Sequence, residues 1–286
     1  MTNLDAEAVT RTRPRLRPQD HPLGLAGLLI LILLVGFCFL GPLFHHTNQT
    51  DVDILDAALP PGGGYPLGTD TNGFDVLGRL MRGGQVSLQI GLLAAVTATT
   101  IGTLYGAVAG LAGGVLDGAL MRLVDVGLSV PFLFVVLILS ARFNASVWSL
   151  SLVIGGFSWL VAARLVRGEV LVLRVREFVL AARTMGASRP RLILTHLIPN
   201  ALGVIIVNIT FQVADAVLIV ATLGFLGFGL RYPATDWGGQ LAGGVTSITS
   251  GYWWLVVPVG ACIILTVLAL NLLAEALREA VGQGAQ

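Results

Sequence analysis

The sequence predicts an all-α, polytopic membrane protein with six transmembrane helices. Three observations carry that prediction. Of 286 residues, 55% are hydrophobic and only 12% charged, with a mean hydropathy of +0.84, whereas soluble domains carry about a quarter charged residues. The apolar residues fall into six runs, each long enough to cross a hydrocarbon core of about 30 Å, which takes about 20 helical residues. Arginines cluster before the first run and between the fourth and fifth, as an even number of crossings requires. The apolar content excludes disorder, and a net charge of +1 argues against a nucleic-acid binder. No run alternates as a membrane β-barrel strand does.

In chain order, residues 1–22 form a cytoplasmic tail with Arg11, Arg13, Arg15 and Arg17, and 23–44 the first span, Leu23–Phe44. That span is too long for a signal-peptide core and no small-residue cleavage site follows, so it is expected to stay uncleaved. Residues 45–85 form an acidic extracytoplasmic loop with Asp51, Asp53, Asp56, Asp70 and Asp75. Residues 86–274 hold the remaining five spans: Val86–Leu111, Leu120–Ala141, Val147–Leu165, Leu197–Gly229 and Tyr252–Ala274. A cytoplasmic tail, 275–286, ends the chain. Gly102, Gly106, Gly110 and Gly114 recur at every fourth position and predict close helix packing on one face. Trp237, Tyr252, Trp253 and Trp254 read as an interfacial aromatic belt. His45-His46 suggests metal only weakly, because no third ligand is near in sequence; an exposed pair is expected. Asn48-Gln49-Thr50 matches a glycosylation acceptor by chance.

All 17 basic residues are arginine. Without lysine the chain has no phosphate-binding loop of the Walker type, no Schiff base and no Ser-Lys dyad. If ATP drives this protein, another chain hydrolyses it. HExxH and GxSxG are absent, and Cys38 and Cys262 lie inside apolar runs without metal-ligand spacing. No catalytic, cofactor or metal site is expected.

The informative segment is RLVRGEVLVLRVREFVLAARTMGASRPRLILTHLIPN, Arg164 to Asn200, with the cytoplasmic loop proper at 166–196. It is too charged for lipid yet helical in period, with Leu171, Val175, Phe178 and Ala182 forming an apolar stripe. Gly186 suits a helix C-cap and Pro190 the start of another helix. A short exposed helix gains stability by docking, either to a partner protein or, through its arginines, to the anionic inner leaflet.

AARTMGASRPRLILTHLIPN resembles the EAA…G…LP loop of the membrane subunits of bacterial ABC importers. Ala181, Ala182, Gly186 and Pro199 match, and Leu180 stands where that motif has glutamate, with Glu177 one turn earlier. PLGTDTNGFDVLGRLMRGGQVSLQIG, GLAGGVLDGALMRLVDVGLSVP, LGFLGFGLRYPATDWGGQL and NLLAEALREA are similar to the C-type permease subunits of dipeptide and oligopeptide importers, from about Leu23 to Glu279. Phe74 and Gln85 replace two arginines common in that branch, and Val220 a glutamate. The resemblance implies the type I (MetI-like) permease fold and a loop that couples to an ATPase through Glu177, Ala181, Ala182, Arg183, Met185, Gly186, Ala187 and Arg189. It also implies a homologous second permease subunit, two ATPase subunits that bind ATP and Mg, an extracytoplasmic binding protein and a peptide substrate. Related systems carry nickel, haem or other solutes.

Asn208, Gln212 and Asp215 share one face of the fifth span at i, i+4 and i+7. Ionisable residues there usually face a bundle interior or a watery cavity, so this face either lines a translocation path or makes interhelical hydrogen bonds. Arg122 and Asp125, beside Asp117, are expected to pair locally. An ion-coupled secondary transporter, the alternative reading, predicts inverted repeats and midplane carboxylates; only Asp215 fits.

Overall fold

A computed structural model describes residues 22–46, 51–143 and 145–283. Arg11, Arg13, Arg15, Arg17 and the Asn48-Gln49-Thr50 sequence lie outside the described residues. The described residues form helices without a strand, apart from two isolated bridges, Gly62 with Tyr65 and Thr69 with Asp75. The long helices are α1 (Pro22–Phe44), α2 (Val76–Ala112), α5 (Val147–Leu173), α8 (Ile198–Phe225) and α10 (Val257–Gln283). Among the described residues, five helices are long and apolar enough to cross a membrane, or six if one bent pair counts as a single span.

The bent pair is α3 (Gly114–Ser129) and α4 (Phe132–Arg142), which meet at 77°. Its cause is local. A residue before proline is pushed out of the helical region, and Val130 before Pro131 is extended at φ −84°, ψ 131°. The apolar run over Leu120–Ala141 shows no such corner, because hydropathy does not register it.

Three spans are clearly longer than their apolar runs, among them α5, which continues past Leu165 to Leu173. α2 begins at Val76, with Asp75 accepting from Leu77 N and Gly78 N at its N-terminus, and its 37 residues reach about 55 Å at 1.5 Å per residue. α10 continues to Gln283.

The glycine stripe is a contact between α2 and α5. A Cβ on Gly102 would lie 2.5 Å from Ala162 Cβ, and one on Gly106 2.4 Å from Ala163 O. One on Gly110 would lie 2.8 Å from Val170 Cγ1. Gly114 does not extend the stripe: α2 ends at Ala112, and the turn into α3 puts Gly113 and Gly114 at φ 66° and 56°.

One end of the bundle carries the turns between α2 and α3 and after α5. The other carries residues 51–75 and α9 (Trp237–Val245). The expected aromatic belt is mostly interior there. Trp237 and Trp254 are buried, their Nε1 groups donating to Leu80 O (2.9 Å) and Thr69 O (3.1 Å), and Trp253 is exposed. An indole N–H needs an acceptor once buried, and here the two bonds tie α9 to α2 and the turn before α10 to the loop at Thr69. His45 is likewise no exposed pair with His46: its Nε2 sits 2.6 Å from Asp75 Oδ2.

Candidate functional site: the exposed helical loop

After α5 ends at Leu173, Arg174 through Arg176 break the helix and α6 (Glu177–Thr184) begins in a new phase. That break cancels the predicted stripe. Val175 and Phe178 are exposed, and the inward residues are Val179 and Ala182. These two pack with Val170, Leu173, Leu192 and Leu197, a cluster that holds the loop against the ends of α5 and α8.

α6 stops at a turn its sequence specifies. Gly186 adopts φ 82°, the left-handed region that glycine enters at low cost. Gly186 N donates to Arg183 O and Ala187 N to Ala182 O, both at 3.1 Å, the paired bonds of a glycine C-cap. Pro190 then sits in α7 (Arg189–Arg191), which continues through a wide-wound turn, Leu192–Leu197, into α8. Glu177, Ala181, Arg183, Met185, Gly186 and Arg189 are exposed, with Met185 at 82%. Ala187 is half-buried and Ala182 buried. The loop is thus a packed, capped hairpin that presents a mixed apolar and basic face, with Ala182 on its supporting side. Leu180, in the glutamate position of the resembled motif, is on the exposed side.

The polar face of α8 divides. Gln212 is buried and its Nε2 donates to Asn208 Oδ1 at 3.4 Å, while Asp215 is exposed on the single chain. Asn208 also lines a groove of about 350 Å³ with Leu165, Val204, Val207, Phe211, Arg278 and Val281. The side-chain bond runs along α8 itself, and the groove opens beside it.

The acidic residues of α3 do not pair within α3. Arg167 Nε and Nη2 meet Asp117 Oδ1 and Oδ2 at 2.6 and 2.7 Å, and Arg164 Nη2 meets Asp125 Oδ1 at 2.6 Å. Asp125 is thus bridged to α5, not to Arg122, because Arg164 and Arg167 approach from the facing helix. Arg174 Nη1 donates to Gly110 O at 2.9 Å, covering a carbonyl that the end of α2 leaves without a helical partner.

At the opposite end, Asp236 accepts from Gly239 N (2.8 Å) and Leu230 N (3.0 Å). Burial pushes this carboxyl up from its ordinary range, against the pull of backbone donors from Gly239, Leu230 and Gly238. It closes the glycine-rich turn after α8 onto α9. Sequence reasoning missed Asp236, although an Asp three residues before Gly239 is a legible N-cap signal.

Residues 102–285 match the family described as the binding-protein-dependent transport system inner membrane component. The chain belongs to that family. Residues 19–61 match the N-terminal transmembrane domain of oligopeptide transport permease C. Among relatives, the oligopeptide transport system permease protein OppC of Escherichia coli (strain K12) is 35% identical, over 93% of this chain and 88% of its own length. The OppC protein of Bacillus subtilis (strain 168) is 34% identical, over 93% and 87%. The dipeptide transport system permease protein DppC of the same organism is 35% identical, over 92% and 82%. The multi-span helical fold of this family accounts for the apolar composition.

Proposed function

We propose that this chain is the transmembrane subunit of an ABC importer and forms part of the path for di- or oligopeptides delivered by a binding protein. The observation that carries it is the α6 hairpin, a helix held from within while Arg183, Met185 and Arg189 face outward. Such a helix is built to receive force, because its inner face is locked to α5 and α8 and its outer face is left exposed. The names of the OppC and DppC relatives support peptides as the substrate class.

In this reading two ATPase subunits bind ATP and Mg and close on α6 and its counterpart in a homologous second permease subunit. The displaced helices then open the path to the extracytoplasmic side, where the binding protein releases peptide. The chain contributes no catalytic group. The arginines from Arg164 to Arg191 support a cytoplasmic α6 end, with both termini on that side in this reading and Asp51 through Asp75 outside. Asp215 and Asn208 border the path, with buried Gln212 holding Asn208 from within α8.

The deciding experiment is a cysteine cross-link in the assembled complex. Met185→Cys is expected to form a link to an ATPase subunit, with a yield that changes on adding ATP. An intact complex that gives no link at position 185 contradicts the coupling role. Asp215→Ala is expected to lower peptide uptake without lowering assembly; normal uptake in an assembled complex removes Asp215 from the path.

A further inference from the structure

α3 has an unusual attachment. Only Asp117 and Val124 along its length are buried, while Val115, Leu116, Leu123 and Val126 are exposed. Its apolar hold on α5 is small: Val124 packs with Leu160 and Ala163, Met121 lies against the same cluster, and Gly127 faces Leu160. The remaining ties to α5 are the two ion pairs. The Arg167–Asp117 pair is a two-bond fork at 2.6 and 2.7 Å, and a fork fixes orientation as well as distance. Arg164 and Arg167, with Arg174 just past the helix end, lie on one side of α5, at i, i+3 and i+10. They grip Asp125, Asp117 and the carbonyl of Gly110. Along the same stretch α2 packs directly on the α5 backbone at Gly106. α5 in turn runs into α6 through the shared cluster of Val170, Leu173, Val179 and Ala182.

We propose that Arg167 and Asp117, with Arg164 and Asp125 as a second tie, are positioning residues that make the bent span α3–α4 follow α5 and α6. Their loss lets ATP be hydrolysed without moving peptide. The role rests on α6 being the element that receives force, as proposed above. The fork suits it because it joins α3 to the last turns of the helix that α6 would push, while the far arm of the bend, through Val136, packs with Ile90, Ala94, Leu150 and Ile154. A displacement entering at α6 therefore reaches both arms of the bent span.

The test uses the full complex, with its binding protein, in proteoliposomes. Asp117→Asn is expected to cut peptide uptake per complex about tenfold, the size of a typical coupling energy, while ATP hydrolysis per complex stays unchanged. The exchanged pair, Asp117→Arg with Arg167→Asp, is expected to restore uptake. Should Asp117→Asn fail to assemble, Asp125→Asn at the exposed second tie is read instead and is expected to raise ATP consumed per peptide. A proportional fall of uptake and hydrolysis, or unaltered uptake, overturns the proposal. Spin labels at the exposed positions 115 and 172 read the clamp by a measurement separate from the cross-link at position 185. Their distance is expected to stay constant between nucleotide states in the parent and to vary in Asp117→Asn; equal behaviour in both overturns it. The cross-link at position 185 and the 115–172 distance can fail separately, so a wrong reading of α6 is distinguishable from a wrong reading of the fork.

Discussion

At the scale of single residues, the α2–α5 contact depends on missing side chains. Ala163 O would lie 2.4 Å from a Cβ at Gly106, so Gly106→Val forces two backbones apart and is expected to cost about 1–3 kcal/mol, the usual range for overpacking. A lower thermal midpoint of the purified complex measures it. Gly156 lies in α5, and a Cβ added there would meet nothing within 4 Å, so Gly156→Ala serves as the contrast. Added helix propensity should stabilise it by up to about 1 kcal/mol. The same midpoint measurement, unmoved by Gly106→Val, contradicts the packing account. The regular spacing of the glycines was legible in the sequence. That Gly114 leaves the series was not, because only the turn geometry at Gly113 ends the helix there.

At the scale of elements, α6 shows how a short break alters a periodic pattern. The residues from Leu171 to Ala182 read as one amphipathic helix only if the helix is continuous. Arg174 through Arg176 interrupt it, and the inward side becomes Val179 and Ala182. The glycine cap and the proline start were readable because they are local: one backbone conformation each. A consequence is that Leu180, 47% exposed, tolerates the motif's glutamate. Leu180→Glu is expected to change stability by less than about 0.5 kcal/mol, as surface substitutions usually do, and to strengthen recovery of the ATPase subunits on co-purification. Unfolding of the variant would show that Leu180 is packed after all.

At the scale of the whole molecule, the distribution of charge predicts sidedness. Arginines from Arg164 to Arg191 gather at the end with α6, and aspartates from Asp51 to Asp75 at the other. In intact cells, a membrane-impermeant maleimide is expected to label Ile54→Cys, 80% exposed, and to leave Val115→Cys, 92% exposed at the α6 end, unlabelled until the cells are opened. Cys38 and Cys262 are buried and stay silent. The reverse labelling pattern inverts the topology.

The sequence by itself determined the solvent this chain folds in, its helical class and its crossings, the display of a capped helical hairpin, and the family. Each follows from composition, local period or a contiguous motif, properties that a short window of chain carries. The tertiary structure decided the rest: the corner at Pro131, the inward face of α6, the indole pins of Trp237 and Trp254, and the partners of Asp117 and Asp125. Arg167 and Asp117 are 50 residues apart, and a local reading pairs Asp125 with Arg122 because those two are near in sequence. Only the packing of α3 on α5 brings the α5 arginines closer, since the glycines of α2 let α5 settle where its charged side meets α3.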